Sequence, residues 1–183
     1  MTLARVSYSR RTFLFFSAAA GAALVVRPDT SSAAVASTRM IALHTRWSDE
    51  TFVGPYLQQG RYLSTALDEI NHLFRDRHNE SVHRIDVRLL DLLYAFKQRT
   101  DYCGSFEVVC GYRSAATNRM LMKHGVHAVK DSLYIQGQVV DVRFDGLQLE
   151  EAHQIALDMQ LGGVGYYPNQ NFIHLDVGPV RSW

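Results

Sequence analysis

The chain has 183 residues, 47% of them hydrophobic, and its 19 Lys and Arg nearly balance 18 Asp and Glu for a formal net charge of +1. That length allows one domain of ordinary size. The charge balance excludes the basic footprint of a nucleic-acid binder, and the 2 cysteines exclude a zinc knuckle built from paired cysteines.

The N-terminus reads as a targeting segment. Arg10 and Arg11 precede an uncharged apolar run to Val26, which is short for a membrane span and suits the apolar region of a signal peptide. Small residues follow at Ala34–Ser37. The pattern S-R-R-x-F-L resembles a twin-arginine export signal. Residues 1–36 are therefore expected to be removed, leaving a domain at 37–183 in the periplasm with no stable membrane span. Cleavage leaves 15 of the 19 basic and 17 of the 18 acidic residues, and all 8 histidines. A near-neutral domain of this kind is no polyanion binder.

Along that domain, Ser37–Trp47 reads as a first strand with partial alternation, and Gly54-Pro55 as a break. Leu63, Leu67, Ile70 and Phe74 recur at helical spacing, so a helix is expected from Ser64. Asp86 reads as the N-cap of a second helix with Leu89, Leu90, Leu93 and Phe96 on its core face. A strand at 106–110, a short helix at 114–123, a loop at 124–136 and a strand at 138–144 follow. A further helix opens near Leu149, with Glu150 and Glu151 in the first turn where the helix dipole favours them. Strands near 163–166 and 171–176 close the chain. Helices first and strands clustered later predict an α+β fold rather than a βαβ series.

Three stretches set polar residues in apolar surroundings. In "CGYRSAATN", Arg113 follows a strand and can offer a guanidinium fork to a carboxylate. Asp141 sits inside the valine-rich strand "VVDVRF", where a carboxylate is costly without a cationic partner. In "NFIHLDVGP", Phe172, His174 and Asp176 share one strand face. Imidazole and carboxylate on neighbouring strands suit zinc. Cys110 ends the apolar strand "FEVVC" and reads as a buried thiol. Its alternatives are a disulfide with Cys103, which an oxidising compartment permits, or a nucleophile, which needs a positioned base.

From about residue 40 to the C-terminus the chain resembles the murein endopeptidase K-like family of exported peptidoglycan hydrolases, related to D-Ala-D-Ala zinc peptidases and the hedgehog fold. The matching motifs are "LDEINHLFRDRH" at 67–78, "GYRS" at 111–114, "GQVVD" at 137–141 and the run Gly162–Trp183. The resemblance implies a small antiparallel sheet with helices packed on it, and a zinc ion held by a histidine, an aspartate seven residues further on, and a late histidine. These fall on Tyr134, Asp141 and His174. Tyr134 departs from the pattern, since a phenol titrates near 10 and must lose its proton to ligate. His124 or His127 could substitute.

The resemblance also implies Lewis-acid activation of a water that attacks an amide carbonyl, with Arg113 on a substrate carboxylate or carbonyl. Where related peptidases carry a base before the last ligand, this chain has Asn171 and Phe172. Asp176 remains, either as base or as the partner that orients His174. The activity implied is hydrolysis of peptide cross-links in peptidoglycan; the alternative is a non-catalytic peptidoglycan-binding protein that lost its metal through Tyr134.

Overall fold

A computed structural model of the protein describes residues 38–125 and 128–183. The expected export signal and His127 lie outside the described residues. Among the described residues no helix is long and apolar enough to cross a membrane.

The elements follow in the order β1 (Arg39–His44), β2 (Thr51–Gln58), β3 (Arg61–Tyr62), α1 (Ser64–Leu73), α2 (Val87–Thr100), β4 (Phe106–Cys110), α3 (Ala115–Lys123), β5 (Val139–Phe144), α4 (Leu149–Met159), β6 (Gly163–Tyr167), β7 (Phe172–Asp176) and β8 (Arg181–Ser182). The α+β class holds. The sheet is larger than expected and mixed: it has eight strands in the order β3-β2-β1-β4-β5-β7-β6-β8. β1 runs parallel to β4, and β6 parallel to β8; the other pairs are antiparallel. Three strands are additional: β2, which runs where a break was expected, and β3 and β8, which are two residues long and too short to show a period of two.

The expected break at Gly54-Pro55 does not occur, because β2 runs through it. Pro55 lies opposite Met40 beside a register shift, and β3 pairs only with Leu57 and Gln58 beyond it. A proline has no amide hydrogen to give, and a bulge beside a partly unpaired edge tolerates that.

The helices form as their sequences direct. The Asp86 side chain accepts the Arg88 amide at 3.0 Å, an N-cap on α2, and Leu89, Leu90, Leu93 and Phe96 are fully buried. α1 packs on β2, α2 on β1, and α4 on β6 and β7. Period-two alternation divides the sheet. Val140, Val142, Ile173, Leu175 and Val164 join the apolar core, while Asp141, His174 and Asp176 occupy the other face of the same strands. The polar face is where the chemistry sits.

Candidate functional site

The site is assembled from four strands and two connections. β5 sets Asp141 directly opposite His174 on β7. On its other side, a register shift between Val108 and Cys110 brings Cys110 opposite Asp141. Gly165 of β6 lies opposite His174. Asp141 and His174 are buried, and Asp176 is fully so.

Tyr134 enters from above. The expected loop before β5 ends in a 3-10 turn, Leu133–Gln136, closed by Gly137 at φ 65°. A side chain at Gly137 would meet the Arg84 carbonyl at 2.6 Å, so glycine is needed for both conformation and space. The turn swings Tyr134 over Asp141. Its hydroxyl donates to Asp141, 2.8 Å from Oδ1 and 2.8 Å from Oδ2, and lies 2.9 Å from His174 Nδ1. His174 Nδ1 is 3.1 Å from Asp141 Oδ1. Burial, and then the Asp141 charge, push the Tyr134 phenol well above its ordinary value.

Asp176 takes the far side of the ring. His174 Nε2 is 3.0 Å from Asp176 Oδ2, and Arg181 grips both carboxylate oxygens, at 3.1 and 2.6 Å. The amides of Gly163 and Gly178 donate to Oδ1. Burial works against this charge, yet the bonds from His174, Arg181 and Gly178 outweigh it and hold the carboxyl down to about 2. Both Asp176 oxygens are thus engaged behind the imidazole, and Asp176 is not among the residues that line the groove.

Arg113 stands beside the triad. Its guanidinium carbon lies 4.1 Å from the Tyr134 ring centre, a cation–π contact, and its amide donates to the Tyr134 carbonyl at 3.2 Å. The turn that carries it is pinned by Asp76, which accepts the Ser114 amide at 2.8 Å and the His78 amide at 2.9 Å. Burial opposes the Asp76 charge, but hydrogen bonds led by Thr117 hold its carboxyl below the usual range. Sequence reasoning alone assigns no role to Asp76. An acid next to the apolar turn Leu73–Phe74 was the available signal.

Cys103 and Cys110 are free thiols. Burial, and then Asp141, push the Cys110 thiol up to about 11, and among the described residues no histidine hydrogen-bonds to it. His124 turns back on its own helix, Nδ1 to the Met120 carbonyl at 2.8 Å, and does not reach the triad.

Among the described residues no three His, Cys, Asp or Glu side chains are grouped to hold a metal, so a three-donor set needs the Tyr134 oxygen. The chemistry of that set is informative. A histidine that donates Nε2–H to Asp176 leaves a lone pair on Nδ1, 3.1 Å from an Asp141 oxygen. Two acceptors face each other at that distance only when positive charge lies between them. The single Tyr134 proton is shared among three acceptor atoms. Asp141, His174 and Tyr134 as phenolate would hold a zinc ion, which would supply that charge. A second proton on Nδ1 also supplies it, and burial notwithstanding, the bonds to Asp141 and Asp176 raise the His174 imidazole.

These residues floor a groove of about 930 Å³ that runs from Arg113 to Trp183. A groove with convergent polar groups and perturbed titratable side chains at its floor is the arrangement of an active or binding site. The family described as peptidoglycan L,D-endopeptidase MepK matches residues 33–183, and the chain belongs to that family. It is 32% identical over 165 residues to the peptidoglycan L,D-endopeptidase MepK of Escherichia coli strain K12, covering 90% of this chain and 91% of that protein. It is 34% identical over 146 residues to the probable peptidoglycan L,D-endopeptidase MepK of Haemophilus influenzae, covering 79% and 78%. No solved structure matches.

Proposed function

We propose that this protein is an exported endopeptidase that cuts peptide cross-links in peptidoglycan, with zinc held by Tyr134, Asp141 and His174. The names of the relatives support the reaction and its L,D class. The observation that carries the site is the convergence of three donor atoms, 2.8 to 3.1 Å apart, beside Arg113 in the groove. Zinc, when bound, supplies Lewis-acid activation of water at neutral pH. The chain's own residues do the rest. Arg113 holds a substrate carboxylate or carbonyl with its fork. Asp176 and Arg181 keep Nδ1 of His174 turned to the triad. The test is metal analysis of the purified protein with digestion of cross-linked muropeptides. Zinc at one equivalent and new muropeptide products are expected; no zinc and no products under saturating zinc would falsify the reading.

The Tyr134 contacts favour a second reading, a metal-free protein that binds peptide stems without cutting them. A phenol raised well above its ordinary value keeps its proton, and that proton satisfies Asp141. Pull-down on isolated sacculi, with and without chelator, separates the two. Chelator-insensitive binding without hydrolysis supports the second reading, and loss of binding and cleavage together in chelator supports the first. For export, the twin-arginine pattern is tested by replacing Arg10 and Arg11 with Lys, which should strand the protein in the cytoplasm.

A further inference from the structure

We propose that the aromatic wall of the groove is a shelf for a sugar ring, so that the ligand taken at this site is a stem peptide still attached to its glycan strand. The inference rests on the peptidoglycan reading above and narrows its substrate class. Tyr167 and Phe172 lie directly opposite each other on β6 and β7, with rings stacked at 4.6 Å and 18°. The Trp183 indole donates Nε1–H to the Tyr167 hydroxyl at 2.8 Å. Its backbone is fixed in both directions, N–H to the Val164 carbonyl and carbonyl to the Tyr166 N–H. The indole lies over Gly165, where a side chain would meet it at 2.8 Å, and 4.9 Å from the His174 ring. Trp183 nonetheless stays 50% exposed. The rings are in place before a ligand arrives, and ordered side chains lose little entropy on binding.

The chemistry of this wall selects among ligands. A pyranose offers a face of C–H groups with hydroxyl and amide groups around its rim. The shelf offers aromatic faces with the Tyr167 hydroxyl and Gln170 at its rim, the groove-lining counterpart of that pattern. Among the described residues, the cations beside this wall are already engaged: Arg181 holds Asp176 and lies 5.0 Å from the Trp183 ring centre, and Arg143 holds Glu107 and the Gln170 carbonyl, so the fitting ligand is uncharged there, as N-acetylated sugars are. An extended peptide cannot join by strand addition on β7, which is paired on both sides. Arg113 stands at the other end of the groove, across β5, so charge recognition and sugar stacking are separated along its length.

The test measures the affinity of the protein for three probes: a disaccharide-linked muropeptide, the same peptide freed of sugar, and a peptide-free glycan strand. The disaccharide-linked form is expected to bind about tenfold more tightly than the free peptide. The Phe172→Leu and Trp183→Leu variants, which keep apolar volume without an aromatic face, should erase that advantage, lowering affinity for the linked form far more than for the free peptide. Equal, measurable affinity for linked and free peptide overturns the shelf and leaves the peptide reading standing. An advantage that survives in both variants also overturns it. Binding of the bare glycan strand alone overturns the peptide reading instead, and binding of none of the three overturns both.

Discussion

The hydroxyl of Tyr134 sits equidistant from the two carboxylate oxygens of Asp141, at 2.8 Å from each. On the proposed zinc reading, one oxygen atom stands where the resemblance expects a histidine nitrogen, and its proton would compete with the metal. Replacing Tyr134 with His should give zinc binding that is tighter and less steep with pH, because no phenol proton has to leave. Calorimetric titration with zinc between about pH 6 and 9, a range bracketing the His and Tyr values, checks it. Equal affinity in parent and variant means that the Tyr134 oxygen takes no part in binding metal. The ring is half-buried beneath Arg113, so the change should also lower stability by about 1 kcal/mol for the lost hydrogen bonds.

Asp176 gives the protein an acid limit. Its folded value of about 2 lies below the ordinary 3.8. A depressed carboxyl contributes stability that is fully present above the unfolded value and is lost as pH falls through the folded one. Metal-free protein should therefore lose on the order of 2 kcal/mol between about pH 4 and pH 2 from this group. Asp176→Asn should be less stable by about 3 kcal/mol near neutrality, since it strips the buried partner from His174 and Arg181. Its stability should also fall less steeply in that acid window. Denaturant unfolding of both proteins across the range measures this.

Asp76 governs Arg113 from 37 positions earlier in the chain. Asp76→Ala leaves the Ser114 and His78 amides without an acceptor and should cost about 1–3 kcal/mol. Muropeptide affinity should fall with it, although Arg113 is intact. Asp76→Asn should recover part of the affinity, because its side-chain carbonyl still accepts one bond. Thermal unfolding and peptide titration on the two variants report the pair of effects.

Arg113→Lys should fail to replace Arg113. A lysine keeps the charge but presents no planar fork to a carboxylate and stacks poorly on Tyr134. A loss of about tenfold in muropeptide affinity is expected, with a change in thermal stability no larger than that of an ordinary surface substitution, about 0.5 kcal/mol. Wild-type affinity in the lysine variant would show that the contact is a simple point charge.

Cys110→Ala should retain full activity. A thiol held at about 11 is protonated at working pH and is no nucleophile. Complete loss of cleavage in a folded Cys110→Ala protein would reinstate the thiol as a participant.

The sequence by itself determined the elements whose cause is local. Leu89, Leu90, Leu93 and Phe96 mark a helix face because side chains three and four apart meet. Asp86 caps that helix because its acceptor is two residues from the amide it binds. The alternation of Phe172, His174 and Asp176 put a polar stripe on a strand without reference to any other part of the chain. Matching motifs then placed Asp141 and His174 in one site. Tertiary structure alone decided the rest. Tyr134 meets His174 across 40 positions, and Asp76 meets Ser114 across 38. Arg181 stands only five positions past Asp176, but it is carried by β8, which is held beside β6. The shift in β4 that aligns Cys110 with Asp141 and the passage of β2 through Pro55 depend on which neighbour pairs with which edge. Periodicity records what a residue does within one turn or one pleat. Register, ion pairing and the orientation of a functional ring come from packing between segments that the sequence keeps far apart.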